Sequence, residues 1–322
     1  MTTRALMVAT AMMAAVLCAV APLGAVWPEL QEPSPRASQD PVPVFRSESD
    51  LVVLHVNVFD GRSDAVPNLP QSVFHVVEDG NPQKITFFSN EDVPVAVGLV
   101  VDNSGSMITR RDMVLAGTKA FAESSHDEDE LFAVVFNENV RFGLPDTAAF
   151  TRSRPQIQAS LTRFPPGGKT AFHDAVIAGL EHLLEASHQK RVLVVLSDGE
   201  DNASQHEEDD MLERARRSDA LIYVVSTAEL GTGIGNPRLL KKLAEISGGV
   251  AYAPESEQEV VEAFSEIATN IRRGYRIGYQ PTNAAHDGRY RRVRVMVRAP
   301  GHNNLSVNAR DGYLAPRHTD AR

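Results

Sequence analysis

The feature that most constrains this chain is a series of short, unbroken apolar runs at residues 93–101, 131–136, 191–196 and 220–225. Strands buried on both faces read this way, because a parallel sheet covered by helices leaves neither side to water. Between and after the runs lie stretches of helical period, at about 108–124, 171–186, 207–217, 237–246 and 257–271. In 171–186 the apolar stripe is Ala175, Val176, Gly179, Leu180 and Leu183, which recur at the three-and-four spacing of one helix face. A further short strand is expected at 250–252. Strands alternating with helices of this length predict βαβ units. The expected fold is α/β, with a doubly wound, mainly parallel sheet and helices on both faces.

The flanks have a different character. Residues 51–59, 72–78 and 84–88 are β-branched or alternating and read as strands, the last two joined by a turn through Asp79-Gly80. After Arg273 come three more strand-like segments, 275–279, 290–298 and 305–309. Neither flank has enough strands to be stable alone, so the two are expected to meet as one small sandwich or sheet. Within 289–298 Arg alternates with Val, giving one apolar and one basic face. A nucleic-acid or anionic-lipid patch is one reading. A half-buried sheet with a solvated charged face is favoured, because the chain as a whole carries a formal charge of −10. That balance also argues against general binding to a phosphate backbone.

The first residues read as an export signal. Arg4 precedes apolar residues 5–21, and Gly24 and Ala25 form a plausible cleavage end. An uncleaved membrane anchor is the alternative. Residues 26–43, rich in Pro, Ser and Gln, read as a linker. The expected organisation is therefore signal 1–25, linker 26–43, a β segment 44–91, an α/β domain 92–272 and a second β segment 273–316. The single cysteine, Cys18, falls within the signal, so a processed chain has no disulfide, thiolate zinc site or thiol chemistry. Any metal must use oxygen or imidazole ligands.

Oxygen ligands gather at one place in this plan. Ligands of open parallel sheets bind at the carboxyl ends of strands. The first apolar run ends in Asp102-Asn103-Ser104-Gly105-Ser106, and the third in Ser197-Asp198-Gly199. A loop, Pro166-Gly167-Gly168-Lys169-Thr170, leads into the 171–186 helix. Asp102, Ser104, Ser106, Thr170 and Asp198 are hard oxygen donors of the kind that suits Mg²⁺ or Mn²⁺. Taken singly, Ser104, Ser106 and Thr170 also read as helix caps, and Asp198-Gly199 as a turn.

Rival motifs fail on their spacing or partners. A phosphate loop ending in Gly168-Lys169-Thr170 needs Gly where Arg163 stands. Gly231-x-Gly233-x-Gly235 misses the dinucleotide fingerprint at its last position and reads as a loop. Ser104 is not in a Gly-x-Ser-x-Gly elbow, and His173-Asp174 suits a rim or packing role better than a catalytic base. The charge run 126–130 reads as a solvated loop, with weak Ca²⁺ binding as its other reading.

The set Asp102-x-Ser104-x-Ser106, Thr170 after a Gly-Gly loop, and Asp198-Gly resembles the metal-ion-dependent adhesion site of von Willebrand factor type A domains, over about residues 93–272. The flanks resemble, more loosely, exported bacterial proteins that carry this domain. The resemblance implies that these five residues hold Mg²⁺, with Mn²⁺ or Ca²⁺ as alternatives. It implies an open coordination position for an Asp or Glu carboxylate of a partner protein. The expected function is an exported (periplasmic, cell-surface or secreted) non-enzymatic binding or adhesion module. Nucleic acid is not an expected partner, and a membrane is one only through a retained signal anchor. The alternatives are a metal-dependent hydrolase, which needs a second metal or a base, and a scaffold acting through its β unit. One tension accompanies this reading: a helix beginning at Met107 would aim its positive end at the cation.

Overall fold

The structure, a computed structural model, describes residues 51–61, 65–228, 235–302 and 304–317. The signal, the linker, Cys18 and most of the Gly231–Gly235 loop lie outside the described residues. Among those described, no helix is long and apolar enough to cross a membrane.

In chain order the strands are β1 (Val52–Phe59), β2 (Phe74–Glu78), β3 (Asn81–Gln83) and β4 (Ile85–Ser89). A central block follows: β5 (Ala96–Asp102), α1 (Arg111–Ser124), β6 (Glu130–Phe136), β7 (Val140–Phe142), α2 (Arg154–Thr162) and α3 (Phe172–His182). It continues with β8 (Arg191–Ser197), α4 (Glu208–Arg217), β9 (Leu221–Ser226), α5 (Pro237–Ser247), β10 (Ala251–Tyr252) and α6 (Glu257–Arg273). The chain closes with β11 (Tyr275–Tyr279), β12 (Tyr290–Val297), β13 (Ser306–Ala309) and β14 (Gly312–Leu314).

The central block is the expected α/β fold. Its sheet runs β10-β9-β8-β5-β6-β7, parallel except for the antiparallel edge strand β7. Alternate side chains of β5 enter different cores. Ala96 and Val100 join Phe172 and Val176 of α3, Met211 of α4 and Leu240 of α5. Val97, Leu99 and Val101 join Val114 and Phe121 of α1, Ile157 of α2 and Phe264 of α6. Each such side chain, fully buried, contributes roughly 1.5–3 kcal/mol. This doubly covered sheet fixes the ends of β5 and β8, where the site lies.

Several local expectations change. The first helix begins later than expected, at Arg111, because residues Gly105–Arg110 form a 3-10 turn. The strand expected over 72–78 begins with a 3-10 turn at Gln71–Val73. Strands β3, β7 and β14 and helix α2 were not anticipated. The charge run 126–130 is not simply a solvated loop. Asp129 is buried, where its carboxylate accepts the N–H groups of Val95 (3.0 Å) and His126 (2.8 Å) and pairs with Arg272.

The flanking segments interleave into two antiparallel four-stranded sheets, the sandwich of the two arrangements expected, ordered β13-β1-β11-β4 and β14-β12-β2-β3. Leu54, Val56 and Ile277 of the first sheet pack against Phe74, Val76 and Val295 of the second. The line of β13 passes through Arg310 and Asp311 into β14, and so moves from one sheet to the other. The opposite face of β1 meets the α/β core, where buried Asn57 donates from Nδ2 to the Tyr223 hydroxyl of β9 at 3.1 Å.

This junction lies where the parallel strands begin and helices end. The Arg310 guanidinium donates to the Arg216 carbonyl at the end of α4 (2.6 Å). The Lys190 ammonium, just before β8, donates to the Ile271 carbonyl near the end of α6. Burial, with the charges of Arg272 and Arg276 adding to it, pushes the Lys190 ammonium down to about 8.

Candidate metal centre

At the other end of the parallel strands, Asp102 closes β5 and Asp198 follows β8. Both are almost fully buried, at 3% and 1% exposure. One Asp102 oxygen accepts the Ser104 N–H at 2.9 Å, and the other accepts the Ser197 hydroxyl at 2.7 Å. Ser197 in turn accepts the Gly199 N–H at 3.0 Å. Ser106, which is exposed, donates to Asp198 Oδ2 at 2.9 Å, and its Oγ lies 3.1 Å from that of Ser104. Asp198 Oδ1 accepts the Glu200 N–H at 3.0 Å, so the turn reading of Asp198-Gly199 is also realised, with one oxygen only.

The cap readings are not realised. Ser104 flanks the 3-10 turn without a side-chain cap bond. The residue before α1 is Arg110, and the residue before α3 is Ala171, so Thr170 lies outside the helix. The α1 helix also starts beyond the Asp102–Ser106 loop, which lengthens the separation between its positive end and the site.

The third segment is fastened between the other two. Gly105 N–H donates to the Gly168 carbonyl (3.1 Å), and Gly167 N–H to the Asn103 carbonyl (2.8 Å). Buried Thr170 donates its N–H to Asn202 Oδ1 at 2.9 Å, and its carbonyl accepts from the Asn202 and Ala203 N–H groups. Gly168 has φ +88°, and the Glu138 carboxylate, which accepts the Lys169 N–H, occupies the space a Cβ would need. A side chain here would be strained by the positive φ and would have to displace that carboxylate.

The structure therefore gathers the segments carrying Asp102, Ser104, Ser106, Thr170 and Asp198 at one edge. It links the first two segments directly through Ser106 and Asp198. Among the described residues no Lys, Arg or His forms an ion pair with Asp102 or Asp198. Burial pushes the Asp102 carboxyl up to about 6, with the Asp198 charge adding to it and the bonds from Ser104 and Ser197 opposing. No three His, Cys, Asp or Glu side chains among the described residues converge on a metal position. A cation at this edge must therefore draw on hydroxyls, and the donor set present fits that requirement.

Sequence reasoning passed over Ser197, Asn103 and Asn202. Ser197 directly precedes Asp198, which was the available signal. Asn103 lies within the Asp-x-Ser-x-Ser motif and orients its loop by donating to the Pro165 carbonyl (2.8 Å) while accepting from Arg111 (2.6 Å). His173, read as a rim or packing residue, is partly buried: its backbone N–H donates to Asp201 (3.0 Å), and its ring Nδ1 lies 3.1 Å from the His206 carbonyl.

Residues 97–200 match the family described as von Willebrand factor type A domain. The structure of a von Willebrand factor type A protein from Catenulispora acidiphila is similar. Identity is 17%, over 86% of this chain and 76% of that one, at a TM-score of 0.48. The von Willebrand domain of the type V pili tip protein Mfa5 from Porphyromonas gingivalis is 12% identical, over 56% of this chain and 95% of that one, at 0.47. The PilB minor pilin from Streptococcus sanguinis is 16% identical, over 57% and 63%, at 0.44. No curated protein matches the chain.

Proposed function

We propose, from the premise that this chain carries a von Willebrand factor type A domain, that it is an exported, non-enzymatic binding protein. Its site holds Mg²⁺ or a similar cation and captures a carboxylate of a partner protein. The observation that carries this reading is the pair of buried carboxylates, Asp102 and Asp198, with hydroxyls beside them and, among the described residues, no cationic side chain paired with them. Two buried like charges are costly unless a positive charge compensates them.

Ser104, Ser106 and Thr170 would supply hydroxyl oxygens, and Asp102 and Asp198 would bind directly or through water. When bound, the ion supplies a positive centre that accepts an incoming carboxylate, because hydroxyl ligands bring no charge of their own. The chain's own residues prepare this arrangement. Ser197 and the Ser104 N–H orient Asp102, the Glu200 N–H holds one oxygen of Asp198, and Asn202 fixes Thr170. The export reading rests on residues 1–25.

The test is calorimetric titration of the full chain with Mn²⁺ and Mg²⁺, with and without acetate, alongside Asp198→Asn. Binding that acetate tightens and the variant loses is expected. No binding under any of these conditions, or equal binding by Asp198→Asn, overturns the proposal.

A further inference from the structure

The β unit carries a feature that the metal site does not use. On β12 the outward side chains are Arg292, Arg294 and Met296, with Arg298 just beyond, while Val293 and Val295 point into the sandwich core. Arg292, Arg294 and Arg298 are exposed, and none of their guanidinium groups has an ion-pair partner among the described residues. Neighbouring Arg291 and Arg289, by contrast, both pair with Asp287.

The same strand has an unfinished edge. On one side β12 pairs with β2 along Val293–Val297. On the other side β14 pairs only with Tyr290, Arg291 and Arg292 before the chain turns away to the other sheet. The bonds fix the directions. Arg298 N–H donates to Val73, and Arg292 accepts from Asp79, so even-numbered residues turn their backbone groups toward β2. Val293 N–H donates to Asp311 on the opposite side, so Val295 and Val297 present theirs to the free edge. No strand among the described residues pairs with them there. A cleft of about 810 Å³ runs along this edge, lined in part by Val293, Val295, Val307 and Ala309 and, toward its β14 end, by Asp79 and Asp311.

We propose that the free half of β12 receives an extended segment of a partner protein as an added strand, one in which acidic and apolar residues alternate. Backbone groups of Val295 and Val297 would pair with the incoming strand. Its acidic side chains would lie beside Arg294 and Arg298 on the outer face, since Arg292 already stands opposite Gly312 of β14, and its apolar ones would enter the cleft, following the period of two. A second copy of this chain fits less well, because joining two such edges brings two arginine rows together.

The test uses the full chain with chelator present, so that its result is independent of the metal site. The probe is a fluorescein-labelled synthetic peptide of alternating Glu and Val, followed by anisotropy. Saturable binding is expected, weakened about tenfold by Arg294→Ser with Arg298→Ser, since two cross-strand charge pairs amount to about that factor. Val295→Pro, which removes a donor facing the free edge, should weaken it similarly. A peptide N-methylated at alternate residues leaves the protein untouched and should also bind weakly. No binding of the parent peptide overturns the proposal. So does equal binding of a scrambled or N-methylated peptide. So does equal binding of phosphatidylglycerol vesicles, which would mark the face as a general anion surface.

Discussion

The two edges of the parallel sheet treat buried charge in opposite ways. Where the strands begin, Asp129 is met by Arg272 and two backbone N–H groups, and Lys190 and Arg310 each reach a helix-end carbonyl. Where the strands end, Asp102 and Asp198 are met, among the described residues, only by hydroxyl and N–H donors. The first edge is complete in itself and joins the core to the β unit. The second is complete in hydrogen bonds and incomplete in charge, the lack that the proposed cation would make good.

The largest test of this contrast is at the satisfied edge. Asp129→Ala leaves the Val95 and His126 N–H groups without their acceptor and partly buried Arg272 with only Asp92 as an ion-pair partner, and should cost about 3 kcal/mol in urea unfolding. A loss well under 1 kcal/mol would remove the contrast.

The next is a pH dependence centred on Lys190. Its folded value, about 8, lies below the ordinary 10.5, so between these limits the unfolded chain binds the proton more. Stability therefore rises with pH across that window, by on the order of 3 kcal/mol if nothing opposes it. Above about pH 10 the buried Tyr223 and Tyr279, whose hydroxyls are pushed up by burial, act the other way. Lys190→Met should flatten the rise between pH 8 and 10, as followed by chemical denaturation.

At the charge-incomplete edge, saturating Mg²⁺ should stabilise the protein by about 2.7 kcal/mol at a hundredfold excess over Kd. Asp198→Asn should abolish that gain while shifting metal-free stability far less than Asp129→Ala does. The smallest effect belongs to exposed Ser106. Ser106→Ala should change metal-free stability by about 0.5 kcal/mol or less, yet weaken Mn²⁺ binding in calorimetry. A large loss of metal-free stability would make the hydroxyl a structural group.

Much of this was legible in the sequence because it is local. Unbroken apolar runs announced β5, β6, β8 and β9, and those of β5 and β8 carried candidate oxygen donors at their own ends. Helix α2 was missed because Arg154–Thr162 buries only Ile157, Ser160 and Leu161, too few to mark a face, although Ser153 caps it by accepting the Gln156 N–H and Pro155 stands in its first turn. The roles of Asp129 and Lys190 could not be read because their partners lie in α6, far along the chain. The same holds for the β unit. Its strands were legible, but the register Val52 to Tyr279 and the division into two sheets depend on pairings between opposite ends of the sequence. The alternation of Arg and Val showed that β12 has a charged face. It did not show that half of its edge would be left open.

The α/β core is inserted between β4 and β11, which are neighbours in one sheet, with Ser89 opposite Arg276. During synthesis, β1 to β4 emerge first and then wait for β11 to β14, which come after the entire core. Such long-range pairing is slow, because closing a long loop costs entropy before any contact forms. The core, contiguous in sequence, brings the two ends of that loop together when it folds. The sandwich is thus assembled on a finished core, and a core variant that folds slowly will leave the early strands exposed to wrong pairing.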